Sequence, residues 1–327
     1  MSLDLHFPGL LGQDRVKRQL RAEAANNRLA HAYLLVGAKG SGRFRLALNL
    51  FTALNCQRRE EGLSPCLQCP SCQRAAKLQH ENLLILAPSQ EQASAQIKVD
   101  ALRAALRTLA FPPLGQGARF ILIREAEQLN PAGGNALLKS LEEPPANNFI
   151  MLCAQDPAAL LPTLVSRCRR LNLQPLAPEV MLQALREKGC SRIPARIALS
   201  GGSLGQALAM DPEQMEEKLG HLLRQLFKAD TLNDLWGLAE EVAANFQGER
   251  RDRQGLVSFL DLLAQYYRDA AVARAGRPEM ALLGQAAHDI SLARALDNFN
   301  WVRCCQNQIL TNAQPELALT VLMKRLL

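Results

Sequence analysis

The stretch that decides the fold is Gly37–Ala47, "GAKGSGRFRLA". Gly37, four residues, then Gly42 trace the outline of a phosphate-binding loop. Such a loop works because backbone N–H groups of a glycine-rich turn, and of the helix that follows, point at phosphate. Two side chains normally complete it: a lysine on the β/γ-phosphates, then a Ser or Thr whose hydroxyl holds Mg²⁺. Here those positions carry Arg43 and Phe44. Arginine keeps the charge, but its guanidinium is wider and planar. Phenylalanine has no oxygen for a metal.

The flanks support a phosphate loop over a chance glycine turn. "HAYLLVG" (31–37) reads as a buried strand before it, and Leu46, Leu50 and Leu54 with Ala47 and Phe51 form a helical face after it. The alternation continues with "NLLILAP" (82–88), the amphipathic "KVDALRAALRTLAF" (98–111), "RFILIRE" (119–125), "NFIMLCA" (148–154) and "RRLNLQPL" (169–176). Strands alternating with amphipathic runs predict a parallel sheet. Asn130-Pro131 opens a helix with body "ALLKSLEE", which Pro144-Pro145 stop, and "AALLPTLVSRC" reads as a short helix. Beyond Pro175 and Pro178 the strand signal ends. "PEVMLQALREKGC", "PARIALS" and "SLGQALAM" predict three short helices, and from about Pro212 the chain is nearly all helical. The expected division is an α/β phosphate-loop domain over 1–174, a small three-helix domain over 175–212, and an all-α domain over 213–327.

A hydrolytic site also needs an acidic pair at the end of a second strand, an aspartate for Mg²⁺ and a glutamate for the attacking water. The strand "FILI" ends in Arg124-Glu125. Arg124 takes the aspartate's place, and Glu125 keeps the catalytic position without its metal partner. Gly37, Gly40, Gly42 and Arg43 therefore read as a degenerate phosphate loop, with weak nucleotide binding or none and no hydrolysis of ATP/Mg²⁺ by this chain. The competing reading is a drifted but competent ATPase using Arg43 and Lys39.

Four of the nine cysteines, Cys56, Cys66, Cys69 and Cys72, have the spacing C-x9-C-x2-C-x2-C inside a module at 56–72. Four thiolates so spaced suit one tetrahedral Zn²⁺, with no position open for water and hence a structural role. An iron–sulfur cluster and four free thiols are the alternatives. Pro65 and Pro70 favour turns between the ligands. An odd cysteine count argues against a disulfide framework.

Bulk composition sets limits. The chain has 327 residues, 48% hydrophobic and 21% charged, in the range of a globular protein of two or three domains. No apolar run approaches the roughly 20 residues of a membrane helix, and the start lacks a basic, apolar leader, so a cytoplasmic location is expected. The net charge of +7 permits nucleic acid or acidic partners without selecting either. Arg103, Arg107 and Lys139 could face DNA phosphates, although charges of this kind are more often solvated helix faces, and the sequence does not choose.

Taken together, "LLGQDRVKRQL" (10–20), "HAYLLVG", the four-cysteine module, "NALLKSLEEPP" (135–145) and "LLPTLVSRC" (160–168) resemble the delta-prime family of bacterial DNA polymerase III clamp-loader subunits, which are AAA+ proteins. The resemblance covers nearly the whole chain. It implies an AAA+ domain, a helical lid and a helical collar that joins a five-membered ring with gamma/tau-type ATPases and delta. It also implies loading of a sliding clamp on primed DNA, and no membrane. The family's ATP-hydrolysing members carry a lid arginine after Gly-Ser; here Gly202-Ser203-Leu204-Gly205 puts Gly205 in its place. Ala154 and Gln155 stand near the polar residue expected after the fourth strand. Arg167, in Ser166-Arg167-Cys168, matches the arginine finger offered in trans to a neighbour's ATP. A helix C-terminal cap is its plainer role. A zinc-dependent scaffold outside replication remains a third reading.

Overall fold

The fold is described from a computed structural model covering residues 5–58, 64–88, 96–115, 117–247, 253–277, 290–311 and 313–327. Residues 59–63 of the cysteine module, and 251–252 and 278–289 of the expected C-terminal helices, lie outside the described residues. The chain divides into two compact units. The first comprises Met1–Val180 with Ser203–Gly205, and the second Met181–Gly202 with Gln206–Leu327.

The first unit is built on a five-stranded parallel sheet, β1 (Ala32–Val36), β2 (Leu83–Leu86), β3 (Arg119–Ile123), β4 (Asn148–Ala154) and β5 (Arg169–Asn172). The order across the sheet is β2-β3-β4-β1-β5. Every residue of β1 and β3 is buried, as both faces of a central parallel strand are covered by helices. The helices are α1 (Asp14–Ala25), α2 (Arg43–Asn55), α3 (Pro70–Ala76), α4 (Val99–Arg107), α5 (Pro131–Glu142) and α6 (Pro162–Arg167). On one face Leu35 and Cys153 pack with Val16, Leu20, Leu46 and Leu50. On the other, Leu34, Ile121 and Leu152 pack with Leu102, Leu137 and Leu164. Asn130 caps α5 by accepting the Gly133 N–H at 2.8 Å, with Pro131 in the first turn.

The structure departs from the sequence-based expectation at two places. α1 occupies a segment quoted above only as a motif; its buried Val16, Leu20 and Ala24 recur at helical spacing. Pro70 does not make a turn between thiols. It is the first residue of α3, where a missing N–H costs nothing.

One polar network ties the cysteine module to the sheet. Buried Asn55, the last residue of α2, donates Nδ2 to the Phe51 and Ala118 carbonyls and accepts the Ala118 N–H. Ser71 Oγ donates to the Asn55 carbonyl and lies 2.9 Å from His80 Nε2. His80 Nδ1 accepts the Asn82 N–H at 3.1 Å. Because the Ser71 proton is committed to Asn55, Nε2 must donate to Ser71 and the imidazole is neutral. Burial agrees, holding the His80 pKa below its ordinary range against the pull of Glu81.

The second unit is all helical among the described residues: α7 (Pro178–Glu187, of which Met181 onward belongs here), α8 (Ile193–Leu199), α9 (Leu204–Ala209, from Gln206), α10 (Pro212–Leu226), α11 (Leu232–Gln247), α12 (Arg253–Arg274), α13 (Leu292–Leu310) and α14 (Pro315–Leu326). Arg196 Nη1 donates to the Ala207 and Met210 carbonyls and so holds the end of α9 to α8. Leu222, Val242, Phe259, Val302 and Leu319 belong to one shared core.

Replacing Asn55 with Ala leaves the Ala118 N–H and C=O buried without partners. This substitution should cost about 2–4 kcal/mol. Both tryptophans, Trp236 and Trp301, lie in the second unit, so the loss is to be read from hydrogen exchange of the β3 amides, which should lose protection while those of α12 do not.

Candidate functional site

Parallel sheets bind ligands beyond the carboxyl ends of their strands. Three segments meet there: the phosphate loop after β1, Arg124-Glu125 after β3, and Ala154-Gln155 after β4. Register places Val36 beside Ala154, and the Gly37 N–H donates to the Ala154 carbonyl at 3.2 Å. The loop has the turn geometry that its glycines require. Gly40 has φ +79° and Gly42, the residue before α2, has φ +101°, backbone that other residues rarely adopt.

Two side chains of this loop, Lys39 and Phe44, are engaged with protein groups. The Arg124 guanidinium lies over the Phe44 ring, 4.8 Å from its centroid. The two positions at which the sequence pattern leads one to expect Mg²⁺ ligands thus carry a cation and a ring that contact each other. Lys39 Nζ stands 3.7 Å from Glu125 Oε1, and the Gln155 N–H donates to Glu127 Oε1 at 3.2 Å. Arg43 is only 6% exposed, and its Nη1 has no hydrogen-bond partner. Burial pushes the Cys153 thiol up to about 12, with Arg43 and Arg124 pulling the other way.

The backbone of the loop is engaged as well, by the segment that starts α9. Ser203 Oγ donates to the Lys39 carbonyl at 2.7 Å. The Gly205 N–H donates to the Gly40 carbonyl at 3.1 Å. A Cβ added to Gly205 would lie 2.6 Å from Gly40 Cα. From the sequence, Gly205 is only a missing arginine. In the structure it is a position where no side chain fits.

The four cysteines converge. The Sγ atoms of Cys56, Cys66, Cys69 and Cys72 all lie within 4.8 Å of one another, near the roughly 3.8 Å between tetrahedral ligands at about 2.3 Å from one metal. The N–H of Cys66 points at Cys56 Sγ (3.3 Å), that of Cys69 at Cys66 Sγ (3.3 Å) and that of Cys72 at Cys69 Sγ (3.5 Å). These donors stabilise thiolate charge. Burial alone would raise the Cys69 thiol, yet the N–H groups of Cys72 and Gln57 and its neighbours' thiols bring it down to about 6. Burial raises Cys56 and Cys72. The first thiolates formed in a tight cluster hold protons on the rest, and a divalent cation removes that penalty. The residues fit a four-coordinate metal.

Arg167 ends α6 with its side chain 36% exposed. Its Nε donates to Glu142 Oε1 at 2.9 Å, Nη2 lies 2.5 Å from the same oxygen, and Nη1 donates to the Thr163 carbonyl at 3.1 Å. Glu142 was not singled out by the sequence reading. The signal was available: an acid in the last turn of α5 opposes the helix dipole.

Residues 12–177, a little over half of the chain, match the family described as DNA polymerase III, delta subunit. A DNA polymerase III subunit delta' from Pseudomonas aeruginosa is 33% identical over 63% of this chain and 66% of its own length, just under two thirds of that relative. One from Yersinia pestis is 29% identical over 93% of this chain and 91% of its own. Among solved structures, a gamma subunit-related protein of DNA polymerase III from Thermotoga maritima aligns over 95% of this chain and 97% of its own at 16% identity, with a TM-score of 0.41. The chain belongs to the DNA polymerase III delta-subunit family, and within it to the delta-prime clamp-loader subunits.

Proposed function

We propose that this chain is a non-hydrolysing, AAA+ member of the clamp-loader ring that lends Arg167 to a neighbouring ATPase subunit. The observation that carries the reading is a contrast within one unit. The phosphate loop has its Mg²⁺ positions closed by Arg124 on Phe44 and its backbone covered by Gly205, while Arg167 stays exposed. An arginine offered in trans stabilises charge developing on a transferred phosphoryl group. The chain then acts on its neighbour's ATP and not on its own. Its partners are gamma/tau-type ATPases and delta, with the sliding clamp and primed DNA reached through the complex in the cytoplasm. The proposed arm has three parts, the phosphate-loop domain, the lid and the collar. Exposed apolar residues such as Leu296, Trp301, Leu317 and Val321 suit the collar to helix–helix assembly.

Zn²⁺ held by Cys56, Cys66, Cys69 and Cys72 has a structural role in this reading. It would fix the module between α2 and β2, and its chemistry is limited to keeping the four thiols deprotonated and in place. A second reading, a weak ATPase, draws on the buried, unpartnered Arg43 Nη1. ATP turnover by the purified chain that is removed by Glu125→Gln would favour it.

Three outcomes are expected. Arg167→Ala should leave the complex assembled, by size-exclusion chromatography, and slow the one ATPase site it serves by about 10³-fold. Unchanged turnover excludes the finger role. Metal analysis of the purified chain should give one zinc per chain, and Cys69→Ser should lower both the zinc content and the exchange protection of α3. Gly205→Ala should speed exchange of the amide at position 205 about tenfold relative to its intrinsic rate, the value of one lost hydrogen bond of about 1.4 kcal/mol, while Gly237→Ala, whose Cβ meets nothing within 4 Å, should not.

A further inference from the structure

The motif "NALLKSLEEPP" is not used by the proposed chemistry, although its Glu142 makes the closest charged contact of Arg167. Three observations bear on that contact. First, the acid sits where local physics disfavours it. Glu142 and Glu143 end α5, at the negative pole of the helix, and a local rule broken without local gain marks a functional position more often than a structural one. Second, Glu142 is held in place from two sides. His31 Nε2, just before β1, lies 2.9 Å from the carbonyl of Leu141, and Pro144-Pro145 prevent the helix from running on. Leu141 itself is 3% exposed.

Third, the way Arg167 is gripped leaves a defined edge. A guanidinium has five N–H groups in a rigid fork. Nε and Nη2 form its side edge, and both meet Glu142 Oε1. One Nη1 hydrogen goes back to the Thr163 carbonyl, four residues earlier on α6. The remaining two, one on each Nη, form the end-on edge and have no partner among the described residues. Two parallel donors on a planar cation are what two oxygens of a phosphate accept. A long side chain ending a six-residue helix would otherwise lose rotamer entropy each time it met its target.

We propose that Glu142 is a positioning residue for Arg167, gripping the side edge of the guanidinium so that its end-on edge is presented to a phosphate on the neighbouring subunit. The inference rests on the finger reading above. In value as a surface ion pair the contact is small, so its importance is in geometry and not in stability.

The test uses the full chain assembled with its ATPase partners, comparing Glu142→Gln, Glu142→Asp, Arg167→Ala and the double variant Glu142→Gln/Arg167→Ala. ATP turnover is measured over a range of ATP concentrations. Glu142→Gln keeps the size and one acceptor oxygen but removes the charge. It should lower the Arg167-dependent part of kcat about tenfold with little change in KM, since only transition-state alignment is lost. Glu142→Asp should recover part of the rate. In the Arg167→Ala background, Glu142→Gln should do nothing more. An equal loss in both backgrounds would mean a structural role and overturn the proposal, and so would unchanged or raised turnover in Glu142→Gln. If Arg167→Ala itself has no effect, the finger reading falls first and takes this inference with it. Thermal unfolding of each free chain identifies a variant that simply folds poorly, and Glu142→Asp then serves as the milder test.

Discussion

The contact between Gly205 and Gly40 constrains the site more than any other. The two backbones approach so closely that residue 205 has no room for a side chain, and its N–H meets the Gly40 carbonyl. The first N–H groups of a helix need acceptors from outside it. α9 finds one in the Gly40 carbonyl, and the Ser203 hydroxyl beside it takes the Lys39 carbonyl. A carbonyl oxygen at a helix N-terminus is also favoured by the dipole. The segment that starts α9 thus binds the loop directly.

The rest of the site follows the same pattern. Arg124 would repel Mg²⁺, but it is stacked on Phe44, in a contact of about 0.5–2 kcal/mol by type. Lys39 has Glu125 within 3.7 Å, although both are partly exposed and the pair adds little stability. None of these contacts is large. Their effect is that cations which would attract a phosphate already have partners in the protein. Arg43 and the Ser41 hydroxyl keep unmet donors, and burial leaves both little access to an incoming ligand. Arg167 differs: its side chain is exposed, and two of its five guanidinium hydrogens have no partner among the described residues.

Much of this was legible in the sequence, for reasons that can be named. β1 and β3 are apolar runs because both faces are covered, and the glycine turn is fixed by positive φ at Gly40 and Gly42, so sheet and loop could be placed by pattern. The convergence of the four cysteines was legible because their spacing suits ligands of one metal. The losses at Phe44 and Arg124 were visible, but not that the two residues contact each other, since they lie 80 positions apart and meet only through the sheet order. Gly205 showed an absence in the sequence and a steric requirement in the structure. Glu142 was hidden in a motif that looked like ordinary helix. Pro70 was misread because a proline between ligands suits a turn and a helix start equally well.

Distance limits what a metal at the thiol cluster could do. The phosphate loop precedes α2, and Asn55, the first member of the network that reaches Ser71 and His80, ends it. A helix of 13 residues is about 20 Å long. A metal at the cluster therefore lies too far from the loop to polarise a phosphate or activate water there, and its four thiols leave no open coordination position. What it can reach is the start of β3, through Asn55 and Ala118. That strand carries Arg124 at its other end, stacked on Phe44 in the first turn of α2. Helix and strand are thus joined at both ends, by the Asn55 network near the thiols and by the cation–ring contact near the loop. A metal in the cluster would act by stiffening that frame.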